Sequence, residues 1–553
     1  MNTPVQSVPP ISVAEKRAKL ANRLRTASAA AAARPLSFAQ TRLWFLDQLE
    51  PNSSLYNVPA AIRLTGPLNS AALETAFRVI IGRHESLRTR FECAGETPMQ
   101  VVNTKFQFKL NVVQSPNLVE AEKWIRDEVR KPFNLASSEP LLRASLVRID
   151  DRDHLLALNL HHIAADEWSL EVLFRELEEA YAAELQGRST RLPELPIQYS
   201  DFASWQRKQL TEDWMQDQLR YWKGKLADAP PVTGLMPDLA RGRIPTFQGR
   251  TVNRTLSADL APLTRQFAAD KEVTLYMLVL AAFNVLIQRY TGLDEIIVGT
   301  PVAGRNRMET EGLIGFFVNT LPLRTRLSGD PVFEDLLCQV RAVALEACSH
   351  QDVPFEKIVE ELRPDRSQSH LVFTNIMFAL QTRVNTTLSL RDLKTEWMDV
   401  DTGTSKFDVT FVVQDFGSQL VARVEYNSDL FSVATIERLL GHFENLLRGI
   451  VANPARRISE LPMLSESERR QLLVEWNDNK TDYPADSCIH QLFEARVAER
   501  PEATALVFDA ETLTYRELNA RANQLAHFLR HEGLERGAPV AVCMERCAEM
   551  VVA

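Results

Sequence analysis

The sequence predicts an α/β protein built from more than one folded unit, and three observations carry that prediction. At 553 residues the chain is longer than a single hydrophobic core can organise. From Pro35 to about Asn453, stretches with helical spacing alternate with short apolar runs of strand type. An apolar share of 45% with 24% charged residues is a globular balance, which excludes wholesale disorder and a fibrous architecture.

Residues 1–34 read as a leader. Within it, "VAEKRAKLANRLR" places Val13, Leu20 and Leu24 roughly on one face among charges, as in a docking helix or a frayed lead-in, and "TASAAAAARP" is a low-complexity spacer. Residues 35–206 form a first α/β unit: "LNSAALETAFRVIIGRHESL" has helical spacing, while "LLRASLVRI" and "HLLALNLHHI" are strand-like. Residues 207–453 form a second, with helices in "TLYMLVLAAFNVLIQRY" and "TIERLLGHFENLLRGI" and strands in "IIVGTPV", "FTNIMFAL" and "LVARVEYN". The two units share no obvious repeat. Residues 454–487, polar and punctuated by Pro454, Pro462 and Pro484, read as a linker. Residues 488–553 open a further unit that stops inside an apolar segment, as the truncated start of a larger domain would.

A net charge of −9 without a run of lysine and arginine argues against nucleic acid as a partner. No stretch approaches about 18 consecutive apolar residues, and the start lacks the apolar core of a signal peptide, so a soluble, cytoplasmic monomer without a membrane partner is expected. The six cysteines are scattered without a C-x-x-C pair, which suggests neither a disulfide framework nor a zinc site. Cys543 and Cys547 share a helix face as packing thiols.

The stretch "LNLHHIAADEWSL" (Leu158 to Leu170) ends an apolar run on His161 and His162, with Asp166 and Glu167 following. A metal site needs a third ligand, for which H-H-x-x-x-D offers only a weak candidate, so no metal is expected. A structural pair and a catalytic residue remain. His162 falls in a loop between a strand and a helix starting at about Trp168, and a histidine near neutral pKa is a natural proton acceptor. Asp166 is placed to cap that helix.

Six stretches occur in order: "PLSFAQTRLWFLDQLEP" from Pro35, "RHESLRTRF" from Arg83, "HHIAADEWS" from His161, "YSDFASWQ" from Tyr199, "IGFFVNTLPLR" from Ile314 and "HQDVPFEKIV" from His350. Together they closely resemble the motifs of condensation domains of non-ribosomal peptide synthetases, over about Pro35 to Asn453. "LTYRELNARANQLA" in turn resembles the first motif of a synthetase adenylation domain. Its phosphate loop and lysine, and any carrier-protein phosphopantetheine site, are absent from the sequence.

The resemblance implies two chloramphenicol-acetyltransferase-like lobes in a V-shaped pseudo-dimer, with a central site reached by a donor tunnel and an acceptor tunnel. It implies amide formation from thioesters, no cofactor in this chain, and a phosphopantetheine arm supplied by a partner carrier domain. His162 is then the catalytic residue, as a base or as a hydrogen-bonding group that positions the amine, and His161 is structural. Asp166 is a scaffold residue paired with an arginine of the other lobe, for which Arg305 in "GTPVAGRNR" is the candidate. The family pattern H-H-x-x-x-D-G has glycine where this chain has Glu167. That glycine lies where the acceptor tunnel meets the centre, and its backbone N–H is a proposed oxyanion donor, which a glutamate retains. The Glu167 side chain either narrows the site and attracts an ammonium group, or points to solvent at a helix N-terminus. Trp168, Phe202, Trp205, Phe316, Phe317 and Phe355 are expected to pack. Asn319 either hydrogen-bonds near the tunnel or orders a loop, and Ser405 in "TGTSKFDVTF" is a candidate to face the cleft. "RPDRSQSHLVFTN" departs from the family's "RNPLF" core.

With no carrier sequence before Pro35, a starter domain is expected, joining an acyl-coenzyme A donor to an aminoacyl group on a downstream carrier, with the adenylation domain in cis. The alternatives are an elongation domain taking a carrier-bound donor in trans and a non-catalytic recruitment platform. In "LLRASLVRI" the residues Leu142, Ala144, Leu146 and Arg148 share a strand face. Arg148 therefore either plugs the acyl tunnel and favours a short-chain donor, or reaches water at the strand's end.

Overall fold

The computed structural model describes residues 33–95, 97–209, 213–229, 233–242, 246–362, 373, 375–382 and 388–553. The helix expected over Val13 to Arg25 lies outside them, as does most of "RPDRSQSHLVFTN". Residues up to Ser465 form one compact unit and Glu466–Ala553 a second.

The first lobe runs β1 (Arg34–Pro35), α1 (Phe38–Leu49), β2 (Asn57–Thr65), α2 (Ser70–Arg83), β3 (Thr89–Ala94), β4 (Thr97–Val102), β5 (Asn111–Gln114), α3 (Leu118–Val129), β6 (Leu142–Arg148), β7 (Asp153–His161) and α4 (Glu167–Leu185). The unbroken apolar run of β7 follows from burial on both faces. Leu156, Leu158 and Leu160 pack with α2 and α4, while Leu155 and Ala157 pack with Ile125 and Val129 of α3. Antiparallel pairing of His161 with Asn57 on β2, and of Leu160 with Leu142 on β6, brings the histidines to the end of this sheet.

Helices α5 (Tyr199–Gln209) and α6 (Asp213–Leu226) lead into the second lobe, which continues with β8 (Gly249–Thr255), α7 (Leu260–Asp270), α8 (Leu275–Thr291), β9 (Glu295–Val302), α9 (Met308–Glu311), β10 (Asn319–Arg326), α10 (Phe333–Ser349), α11 (Phe355–Leu362), β11 (Ile376–Thr382), β12 (Lys394–Met398), β13 (Val409–Asp415), β14 (Leu420–Asn427) and α12 (Val433–Ala452). Among the described residues its sheet has the order β10-β9-β11-β13-β14-β8. The core sits where Phe283 of α8 meets Phe378 and Phe411, and Phe411 in turn meets Phe443 of α12. Helix α8 is apolar on every side and is buried from Met277 to Ile287. Among the described residues no single helix is long and apolar enough to cross a membrane.

Two features depart from a simple division of the chain after residue 206. Strand β12, late in the sequence, pairs antiparallel with β2 and completes the first lobe's sheet in the order β12-β2-β7-β6-β5. Residues 303–318, between the paired strands β9 and β10, leave the second sheet. There Leu313, Phe316 and Phe317 join Leu36, Ile163 and Tyr199 in a separate apolar cluster at the seam between the lobes. Gly315 is required in this segment, because a Cβ there would meet the Tyr199 ring at 2.1 Å.

The linker also begins later than the prolines suggest. Ile458 and Leu461 are buried in the second lobe's core, and the Phe333 N–H donates to the Arg456 carbonyl at 2.9 Å, so residues 454–465 belong to that lobe. The second unit contains the helix Ile489–Glu499, the paired strands Thr504–Phe508 and Glu511–Thr514, and the helix Tyr515–His531. That last helix is capped by Thr514 and Glu517 in a reciprocal box.

Candidate active site

Strand β7 delivers two histidines with opposite environments. His161 is 3% exposed, its Nδ1 accepts the Ile163 N–H at 3.1 Å, and its ring lies edge-on to Phe133. Burial, and then the charge of Lys406, push its pKa down to about 3, so it is a neutral packing residue. His162 is held by its own N–H, which donates to the Tyr56 carbonyl at 2.8 Å, and by the Phe316 ring edge-on at 4.7 Å. Its Nδ1 lies 2.9 Å from the Ala165 carbonyl. A carbonyl only accepts, so Nδ1 carries the proton and Nε2 presents a lone pair. Burial first, and Lys406 second, hold this imidazole well below the ordinary histidine range, so it is neutral at physiological pH. Unlike His161, it is partly accessible.

Asp166 caps α4. Its Oδ1 accepts from the Ser169 N–H at 2.9 Å, the Ser169 hydroxyl at 2.7 Å and Arg305 Nη2 at 2.9 Å, while Oδ2 accepts from the Phe317 N–H at 3.0 Å. Arg305 also donates to the Leu313 carbonyl at 2.8 Å and lies 4.1 Å over the Phe317 ring. The two side chains are 0% and 1% exposed, and none of the carboxylate's bonds goes to His162. The structure therefore brings Asp166 and Arg305 together as a cross-lobe scaffold.

Glu167 and Trp168, the next two residues, are exposed, and both also reach the second lobe. Glu167 Oε2 accepts from Gln381 Nε2 at 2.8 Å, and the Trp168 indole N–H donates to the Glu311 carbonyl at 3.0 Å. Trp168 is thus a rim residue rather than the packing aromatic expected. Phe202 and Phe317 meet with tilted rings at 4.7 Å, Phe316 and Phe355 are buried, and Trp205 lies under the Arg307 guanidinium at 4.1 Å. A shallow cleft open to solvent is lined by Phe202, Trp205, Arg307, Phe316 and Asn319, so Phe316 borders both this space and the His162 ring.

Three expectations are revised or narrowed. Arg148 ends β6 opposite His154, whereas Leu142 pairs with Leu160 at the histidine end. Its guanidinium pairs with Asp151 and is 41% exposed, so it reaches water and plugs no tunnel near His162. Ser405 is 1% exposed and its hydroxyl donates to the Phe407 carbonyl at 2.6 Å, so it closes a turn rather than facing the cleft. Asn319 donates to the Gln351 and Val353 carbonyls at 2.8 and 2.6 Å and accepts from the Phe355 N–H at 3.0 Å, which orders that loop.

The residue missed from sequence is Lys406. It sits with its ammonium 5.5 Å from the Tyr56 ring and acts electrostatically on both histidines. Burial pulls its pKa down, opposed by Glu425, whose own pKa burial raises. Its one sequence signal is a lone lysine ahead of the apolar strand "FDVTF". Among the described residues no cluster of histidine, cysteine, aspartate or glutamate could hold a metal ion.

Comparison with known proteins gives two family matches: a condensation domain over residues 31–473 and an AMP-binding enzyme over residues 493–553. One of the linear gramicidin synthase proteins of Brevibacillus parabrevis is 42% identical over 527 residues, covering 94% of this chain and 10% of that protein. The chain thus spans about a tenth of that relative's length. Among solved structures, the X-domain in complex with OxyB from teicoplanin biosynthesis is 29% identical, with a TM-score of 0.71 over 78% of this chain and 96% of that one. A four-domain non-ribosomal peptide synthetase bound to AMP and glycine shares the fold at a TM-score of 0.76 and 23% identity, over 92% of this chain and 39% of that one.

Proposed function

Since this chain belongs to the condensation-domain family of non-ribosomal peptide synthetases and continues into the start of an AMP-binding enzyme, we propose that it joins an acyl thioester to the amine of an aminoacyl thioester, with Nε2 of His162 receiving the amine. The observation that carries this reading is the fixed tautomer: Nδ1–H is committed to the Ala165 carbonyl, and Nε2 is left as an acceptor on a partly accessible ring.

The amine nitrogen attacks the thioester carbonyl, the C–N bond forms and the C–S bond breaks. The proton that the amine sheds after attack ends on the departing thiolate, which leaves as the free thiol. A neutral imidazole of lowered pKa is a weak base, which favours its role as a hydrogen-bond acceptor that orients a neutral amine over full proton abstraction. Lys406 adds to this by disfavouring an ammonium group at the same place. The acceptor would arrive on the phosphopantetheine arm of a carrier domain.

The donor is the finer part of the proposal. An acyl-coenzyme A and a carrier-bound acyl group offer the same carbonyl to His162. A short-chain limit no longer has Arg148 behind it. Similarity to a protein that is named as one of several parts of a synthase supports a donor brought by another chain. The test is to incubate the chain with a loaded aminoacyl carrier and either an acetyl- to decanoyl-coenzyme A series or an acyl-carrier donor. Amide from the carrier donor alone supports delivery in trans, and amide from coenzyme A thioesters supports a starter domain. The recruitment reading has one observation in its favour, the likeness to an X-domain solved with a partner protein. Parent activity equal to that of His162→Ala would select it.

A further inference from the structure

Residues Ile314 to Phe317, which set the Phe316 ring edge-on to His162, lie outside any strand, and side chains of the first lobe and of α5 take their backbone groups one after another. His84, directly after α2, accepts the Ile314 N–H on Nδ1 at 3.2 Å, and the Ser86 hydroxyl donates to the Ile314 carbonyl at 2.7 Å. Ser169 Oγ accepts the Gly315 N–H at 3.1 Å, the Tyr199 hydroxyl donates to the Phe316 carbonyl at 2.6 Å, and Asp166 accepts the Phe317 N–H. Three of these contacts originate on α4 and run against the direction of the segment. Asp166 holds Phe317, Ser169 holds Gly315, and Glu176, about two turns further on, holds Ile314 through His84. The Ile314 side chain is itself part of the first lobe's core.

Both nitrogens of His84 are committed. With Nδ1 an acceptor, the proton sits on Nε2, which donates to Glu176 Oε2 at 2.8 Å, the reverse of the His162 tautomer. Glu176 Oε1 accepts from Arg83 Nε at 3.0 Å. Burial raises this carboxyl, but the bonds from His84 and the charge of Arg83 outweigh it and hold it below the usual glutamate range. An ionised carboxylate only accepts, so Glu176 fixes the acceptor that His84 offers to Ile314. His84 and Glu176 are buried, where a backbone N–H that loses its acceptor bears its full desolvation cost. We propose that His84 is a positioning residue: by holding the Ile314 N–H it keeps Phe316 against the His162 imidazole and so orients the ring that receives the amine. It acts through Phe316 and touches no substrate. The proposal rests on the amide-forming reaction proposed above.

The test compares, in the full chain, His84→Leu, which keeps apolar bulk without an acceptor, and His84→Asn, whose Oδ1 supplies an acceptor near the place of Nδ1. Each is measured for kcat and KM with a glycyl-loaded carrier and the acyl donor that supports turnover, for folded fraction by urea unfolding, and for the His162 ring signals by nitrogen-edited NMR. His84→Leu should lose about tenfold in kcat at little changed KM, with the His162 signals displaced in the folded protein. His84→Asn should keep the parent's kcat and signals. Equal loss in both variants overturns the proposal, because the acceptor is then not what matters. So does a folded His84→Leu whose His162 signals match the parent's. If His84→Leu does not fold, His84→Asn decides alone: displaced His162 signals overturn the proposal, and parent signals with parent kcat support it. A parent that forms no amide overturns the reaction itself, while the His162 signals still report the positioning.

Discussion

The seam between the lobes has an inner and an outer layer, built within four residues of one another. In the inner layer, Arg305, Asp166, Ser169 and Gly315 exchange bonds out of water, and none of the carboxylate's described bonds goes to the imidazole. In the outer layer, Glu167 bonds to Gln381 and Trp168 to the Glu311 carbonyl at exposed positions. The difference separates two kinds of contact that share one motif: Asp166 keeps the lobes in register out of water, and the residues beside it bond across the seam where water competes. His161 and His162 divide in the same way, one sealed into packing and one partly accessible beside Phe316.

Breaking the inner layer should have the largest effect. Asp166→Ala leaves the Arg305 guanidinium buried and unpaired, at a cost of roughly 3–5 kcal/mol. Urea unfolding should show that loss, with activity falling only as folding does. A variant of parent stability that lacks activity would instead make Asp166 a participant in the chemistry.

Electrostatics around His162 comes next. His161 and Lys406 are the titratable groups acting on it. Lys406→Met removes a charge that opposes protonation, so the acid limb of the pH–rate profile should move to higher pH, with Lys406→Arg close to parent. Burial, the larger cause, persists in both variants. The depressed histidines also set a stability trend. Below about 6.5 the unfolded chain takes up protons that folded His161 refuses until about 3. Stability should therefore fall as pH drops through that window, and an unfolding midpoint flat over the same range would contradict the buried, neutral assignment.

The smallest effect belongs to the rim. Trp168→Phe loses one indole N–H bond at a 39% exposed site, worth about 0.5–1 kcal/mol in a denaturation curve. A loss as large as that of Asp166→Ala would erase the distinction between the layers.

Local signals in the sequence reached the right elements. The two strands around "LLRASLVRI" and "HLLALNLHHI" and the helix after Asp166 follow from apolar pattern and cap chemistry, and Arg305 stood out beside the family motifs. Partnerships that span much of the chain, such as Glu167 with Gln381 or β12 with β2, leave no local pattern, because neither partner's neighbours differ from an ordinary surface or edge segment. Arg148 shows the same limit. Alternation assigns a residue to a face of a strand but says nothing about which end of the strand adjoins the site. Lys406 was hidden beside Ser405, where the turn that buries the serine hydroxyl carries the lysine toward the histidines.

Amide formation as proposed turns on a neutral His162 that holds its proton on Nδ1 and offers Nε2. Nitrogen-edited NMR of the histidine-labelled chain, with His162→Ala used to assign the signal, reads tautomer and charge directly from about pH 5 to about pH 8. The prediction is a neutral Nδ1–H imidazole throughout that range. An imidazolium at neutral pH, or a proton on Nε2, would contradict it.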